Sequence, residues 1–70
     1  MATLQNELKR YREKYNYSQE EIAEKINITQ SAYSNYEKGK RLPNIEILIK
    51  LADIYDISLD ILTGRYTASK

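Results

Sequence analysis

A three-residue pattern recurs three times in this chain: an Asn or Asp, an apolar residue, then a Ser or Thr. It reads NYS at 16–18, NIT at 27–29 and DIS at 56–58. Each position has its own task. Asn and Asp tolerate the left-handed backbone that ends a helix. Ser and Thr start the next one, because the hydroxyl accepts a hydrogen bond from an otherwise orphaned N–H. The apolar residue between them is placed to staple the new helix. Tyr17 pairs with Ile22, Ile28 with Tyr33 and Ile57 with Leu62, each at the spacing of a hydrophobic staple. Ser18 and Glu21 also have the spacing of a capping box. Three such junctions commit the chain to short helices joined by tight turns.

The remaining boundaries follow from periodicity. A first helix is predicted over about 3–15, with Leu4, Leu8, Tyr11 and Tyr15 on one stripe. The second covers about 19–26 and buries Ile22, Ala23 and Ile26. The third covers about 30–37. GKRLPN then interrupts the pattern with Gly39 and Pro43, and Asn44 caps a fourth helix over about 45–55. Its expected stripe is Ile45, Leu48, Leu51, Ala52 and Tyr55. The fifth covers about 59–63 and stops at Gly64. Nothing reads as a strand, so the class is all-α, a compact five-helix bundle. Residues 1–64 form one domain, and 65–70 read as a tail or the start of a linker. Only Asn27 and Ile28 separate the second helix from the Thr29 cap of the third. Helices joined so tightly cross at a large angle, which is helix-turn-helix geometry.

At 70 residues the core is modest. The chain has no Cys and no His, which removes disulfides, thiolate metal sites and the commonest general base. With no Gly-rich phosphate loop and no carboxylate pair in an evident cleft, no catalytic residue, metal site or cofactor is expected, nor a small-molecule ligand. The absence of Cys fits a cytoplasmic protein. The N-terminus carries no apolar signal region, and no run approaches the roughly 18 apolar residues of a membrane span. The net charge is only +1, but it is unevenly spread. Residues 1–41 carry eight Lys or Arg against six Asp or Glu, whereas 42–70 carry three against four. Lys38, Lys40 and Arg41 crowd together.

The third helix is unusual in its filling. TQSAYSNYEKGK is rich in Ser, Asn, Thr and Tyr, which are middling or poor helix formers. At about 100° per residue, Ala32, Tyr33 and Tyr36 fall on one side. Gln30, Ser31, Ser34, Asn35 and Lys38 fall on the other, without a carboxylate to repel phosphates. Gln and Asn can bond an adenine edge through one donor and one acceptor, and Ser can donate or accept. A solvated polar face is the alternative reading of this helix alone. The context favours DNA: Gln19 opens the second helix, where its amide suits a phosphate, and Lys38, Lys40 and Arg41 follow the third helix, where backbone contacts would lie.

SQEEIAEKINITQSAYSNYEKGKRLPNIEILIKLADIYDISLDIL resembles the Cro/C1-type helix-turn-helix domain of phage repressors and of the xenobiotic-response-element family of bacterial regulators. The resemblance runs from about Leu8 to Gly64 and rests on SQEEIAEKI, YEKGKRLP and DISLDIL. It implies a lambda-repressor-like bundle whose third helix enters the DNA major groove. Gln30, Ser31 and Asn35 would then face bases, with Ser34 close by. Gln19 would grip a phosphate and Lys38, Lys40 and Arg41 would hold the backbone. Arg12 and Glu37 occupy places where the family often has an ion pair between the first helix and the third. Asn16, Asn27 and Asp56 stand where the family often has Gly. Tyr33 and Tyr36 replace the usual aliphatic residues; they are expected as core rings with hydroxyls at the edge, and Tyr33 is also a candidate phosphate contact.

The fourth helix holds more apolar residues than one stripe needs. Ile47 and Ile54 lie roughly opposite Leu48, Ala52 and Tyr55, and Ile61 and Tyr66 could extend them. A row of exposed Ile suggests a partner surface, although scattered surface hydrophobes are normal. A homodimer through Ile47, Ile54, Ile61 and Tyr66 would set two recognition helices roughly 34 Å apart on a palindromic site. The leading functional reading is a regulator of transcription, most simply a repressor, that binds a double-stranded operator. The second is an antitoxin-type interaction module that neutralises a partner protein and regulates its own promoter.

Overall fold

The structure is a computed structural model and describes residues 3–63. Five helices run in order: α1 (Leu4–Lys14), α2 (Gln19–Lys25), α3 (Gln30–Lys38), α4 (Ile45–Tyr55) and α5 (Leu59–Thr63). No strand occurs among the described residues. Gly64, residues 65–70 and Tyr66 lie outside them.

The recurring junctions work as their residue types require. Asn16, Asn27 and Asp56 all take positive φ, at 62°, 63° and 55°. The same pair of hydrogen bonds closes each helix. The N–H groups of Asn16, Asn27 and Asp56 donate three residues back, to the carbonyls of Glu13, Glu24 and Asp53. Those of Tyr17, Ile28 and Ile57 donate five residues back, to Arg12, Ala23 and Ala52. This is the Schellman arrangement, which satisfies carbonyls that the helix end would otherwise orphan. The next helix begins at once. The hydroxyls of Ser18, Thr29 and Ser58 accept from the N–H groups of Glu21, Ala32 and Ile61, and the Glu21 carboxylate accepts in return from the Ser18 N–H. Tyr17, Ile28 and Ile57 pack on the core that contains their staple partners Ile22, Tyr33 and Leu62. Gly39 (φ 77°) closes α3 in the same way.

All five helices feed one core. Leu8 and Tyr11 come from α1, Ile22 and Ala23 from α2 with Ile26 just beyond it, Tyr33 from α3, Ile47, Leu51, Ala52 and Tyr55 from α4, and Leu62 from α5. The rings of Tyr11 and Tyr55 stack at 5.7 Å, and Tyr15 lies over Tyr55 at 5.3 Å. The Tyr15 hydroxyl donates to the Tyr55 carbonyl at 2.8 Å, tying the end of α1 to the end of α4. α3 packs on both α1 and α2.

The facing of α4 differs from expectation. The periodicity places Ile45 on the core stripe, but it is 58% exposed, and sets Ile47 on a partner surface, but it is only 7% exposed. The inner line is Ile47, Leu51 and Tyr55, spaced four residues apart, with Ala52 beside it. Leu48 is half-buried and Ile49 is exposed. Eight apolar residues in eleven allow more than one stripe, so helical period alone does not choose between them. Ile54 and Ile61 are half-buried against the core instead of standing free. Tyr15, expected on the α1 stripe, is partly exposed. Glu7 is buried and bonds Arg10 one turn later at 2.8 Å.

Candidate nucleic-acid interface

α3 is held from both ends and from beneath. The Thr29 hydroxyl accepts from Ala32 N–H at 3.0 Å, and left-handed Gly39 terminates the helix. Beneath, Tyr33 is completely enclosed, and Tyr36 meets its ring edge-on at 6.3 Å. With these anchors the helix does not depend on strong intrinsic propensity.

The other side of α3 is turned outward. Gln30, Ser31 and Lys38 are exposed, and Ser34 and Asn35 are half-buried. The Asn35 carbonyl accepts from the N–H of Lys40 at 2.9 Å and of Arg41 at 3.4 Å, so the connection to α4 folds back over the last turn of α3. A groove results, lined by Ser31, Ala32, Asn35, Tyr36, Arg41 and Leu42 among others. Lys38, Lys40 and Arg41 are all exposed. The groove lining contains a cation and amides but no carboxylate. Such a surface can donate to and accept from base edges while tolerating phosphate charge.

Arg12 and Glu37 meet. Arg12 Nε donates to Glu37 Oε2 at 2.6 Å and Nη2 to Oε1 at 3.2 Å, a two-pronged pair. The third arm, Nη1, donates to the Tyr17 carbonyl at 2.8 Å. One guanidinium thus joins α1, the α1–α2 turn and the last turn of α3. The Glu37 side chain is only 6% exposed. Burial alone would raise its carboxyl pKa, but the Arg12 guanidinium, the nearby Tyr33 hydroxyl and the Gln19 amide together outweigh that and hold it below the usual value. Gln19 Nε2 donates to Glu37 Oε1 at 3.0 Å. Gln19 is therefore part of this cluster as well as the first residue of α2.

Tyr33 does not fit a phosphate-contacting role. Its hydroxyl is buried beside Glu37 without completing a hydrogen bond, and the Tyr55 hydroxyl is buried and unpartnered too. Burial pushes both phenols well above their ordinary value, so both stay neutral. The sequence places its hydroxyl at the edge of the core. Instead its staple with Ile28 and the close α1–α3 packing draw the whole side chain inside.

A family model described as helix-turn-helix matches residues 8–62. The chain belongs to this helix-turn-helix family. Its Cro/C1-type character agrees with the relatives. The chain is 43% identical over 68 residues to the HTH-type transcriptional regulator ImmR of Bacillus subtilis, covering 97% of this chain and 54% of that protein. It is 36% identical over 67 residues to the cryptic phage CTXphi transcriptional repressor RstR of Vibrio cholerae, covering 96% of this chain and 60% of that protein. The N-terminal DNA binding domain of SinR from Bacillus subtilis superposes with a TM-score of 0.79 at 28% identity, covering 96% of both chains. The chain spans little more than half the length of these two curated relatives.

Within the helix-turn-helix, two participants are not evident from sequence spacing. The Gln19–Glu37 bond joins residues 18 apart, and only a three-dimensional arrangement brings them together. Leu42 is 77% exposed and lines the groove. Its signal was its position: an apolar residue inside GKRLPN has no helix face to join.

Proposed function

We propose that this domain is the DNA-reading part of a transcriptional regulator, acting as a repressor that inserts α3 into the major groove of a double-stranded operator. The observation that carries this reading is the outward side of α3. Amides, hydroxyls and a cation are gathered there without a carboxylate, on a helix held in place by its other side. Gln30, Ser31, Ser34 and Asn35 read base edges. Gln19, Lys38, Lys40 and Arg41 hold phosphates. The names of the relatives, a regulator and a phage repressor, support this over an antitoxin-type role, and the reading needs no enzymatic activity. A cytoplasmic location follows from the same role.

The protein acts as a dimer on a palindromic site in this reading. The apolar surface available for a second copy is the strip of Leu42, Ile45 and Ile49, not the buried Ile47. Leu42 also lines the groove, so a second copy seated on this strip would lie beside the outward side of α3.

Selection of bound duplexes from a random pool tests the reading. A palindromic consensus is expected. Asn35→Ala or Gln30→Ala should then relax preference at particular base pairs, at a cost of about 1–3 kcal/mol each. Uniform weakening across all sequences would move those residues to the phosphates, and failure to enrich any sequence would refute the proposal.

A further inference from the structure

The Gln19–Glu37 bond presents a problem for a DNA-binding surface. A carboxylate near the phosphate contacts should repel DNA, yet Glu37 lies in the last turn of α3 and touches the first residue of α2. The geometry resolves the conflict. Arg12 makes two bonds to the carboxylate, and its side chain is itself only 12% exposed. The pair is neutral as a unit, so little negative field is left to oppose a phosphate.

The carboxylate also imposes an orientation. An ionised carboxylate only accepts hydrogen bonds, so of the two ends of the Gln19 amide only the NH2 can face it. That fixes the amide flip and directs the carbonyl oxygen elsewhere. It uses one of the two N–H donors on Nε2, and among the described residues the other has no partner. A free glutamine side chain would instead sample several rotamers and both flips, with a carbonyl oxygen as ready to meet a phosphate as an N–H. Ordering such a side chain on binding costs conformational entropy. Here the order exists beforehand. The Arg12 bond to the Tyr17 carbonyl fixes the backbone one residue before the Ser18 cap, so the whole approach to α2 is held from the same guanidinium.

We propose that Glu37 is a positioning residue for the DNA backbone contact: it holds the Gln19 amide so that the remaining N–H of Nε2 is presented to a phosphate oxygen. The proposal rests on the DNA-binding reading above and adds to it a defined dependence of one contact on another residue. Glu37 itself touches no DNA. Arg12 acts one step further back by neutralising and aligning Glu37.

A double-mutant cycle tests it, using the whole chain and a mixed-sequence duplex at low salt, followed by fluorescence anisotropy. The proteins are the wild type, Gln19→Ala, Glu37→Gln and the double variant, each at a temperature where its circular dichroism melt shows it folded. Both Glu37→Gln arms carry the same added positive charge, which cancels in the cycle. Gln19→Ala should weaken binding about tenfold in the wild-type background, the worth of one hydrogen bond to a charged group. In the Glu37→Gln background the same change should cost less than about twofold, within the error of additivity. Equal losses in both backgrounds would show that Glu37 does not act through Gln19. No loss in the wild-type background would remove Gln19 from the phosphate contact, and absence of binding by the wild type would instead overturn the DNA reading itself. A measurement on the wild type alone covers the case in which Glu37→Gln does not fold. In the free protein, nuclear magnetic resonance should find the Gln19 side-chain amide as ordered as the backbone; a freely averaging amide would overturn the proposal.

Discussion

α3 and α4 are consecutive helices of similar length built from opposite materials. α3, QSAYSNYEK, buries a single residue, Tyr33. α4, IEILIKLADIY, buries Ile47, Leu51, Ala52 and Tyr55. α4 is held by apolar area. α3 is held by a few specific attachments: one enclosed ring, one ion pair, one cap and one left-handed Gly. The contrast shows how a small domain can free a surface for recognition. When a few attachments fix a helix, its outward positions need contribute nothing to folding, and they can carry Gln, Ser and Asn. α4 has the reverse property. Its apolar content secures its place but leaves Ile45 and Ile49 on the outside.

If this contrast is right, α3 should fail all at once when an attachment is removed. Tyr33→Ala is expected to cost the most, about 3–5 kcal/mol, as for other buried rings. Tyr33→Phe should be neutral or slightly stabilising in thermal melts, because it removes a buried hydroxyl that has no partner. A large loss for Tyr33→Phe would mean that the hydroxyl is bonded after all. Next comes Arg12→Ala, which strands the buried Glu37 carboxylate and should cost about 3 kcal/mol. The pair also sets a pH dependence. Folded Glu37 is held below its ordinary 4.5, so as pH falls the unfolded chain takes up the proton first. The stability due to the pair is full above the ordinary value and declines as pH drops through it towards the folded value. Urea titrations should therefore show a steeper acid loss for the wild type than for Glu37→Gln.

α4 offers a graded test one step smaller. Ile47→Ala should destabilise by about 2 kcal/mol or more, whereas Ile45→Ala should stay within about 0.5 kcal/mol. Equal effects would mean that the two residues do not lie on opposite sides of the helix. Ile45→Lys should leave the melt nearly unchanged and weaken self-association in sedimentation if the exposed strip is the dimer surface.

The two helices also differ in how much the sequence disclosed. The helix starts were legible throughout, because Ser18, Thr29, Asn44 and Ser58 act through their immediate neighbours. The polar side of α3 was legible because only one arrangement of QSAYSNYEK gathers its apolar residues together. α4 was not, since Ile45, Ile47, Ile49 and Leu48 satisfy several stripes and the choice depends on where the other helices stop. Glu37 could be paired with Arg12 only through the family resemblance, and its bond to Gln19 depends on tertiary placement. The depth of Tyr33 was missed for the same reason: helical period gives the direction of a side chain but not how much protein lies beyond it.

The smallest effects expected concern the helix ends, where four junctions share one backbone and differ in one residue. Asn16, Asn27 and Asp56 take positive φ with a side chain, whereas the fourth junction uses Gly39. Conformation alone does not require Gly there, since Asn or Asp is tolerated at the other three. Space adds a smaller difference, against the end of a flexible side chain. A Cβ on residue 39 would come within 2.6 Å of Gln5 Nε2 and 3.3 Å of Gln5 Cγ. Gly39→Ala should therefore cost about 1–2 kcal/mol from the left-handed backbone, plus a steric part. The steric part should vanish in the Gln5→Ala background, because Gln5 is a flexible side chain that can be removed without touching the core. Asn27→Gly should change stability by only a few tenths of a kcal/mol. Its relief of left-handed strain is offset by the greater freedom of Gly in the unfolded chain. If Gly39→Ala cost no more in the presence of Gln5 than in its absence, the contact would have no weight and the choice of Gly would be conformational only.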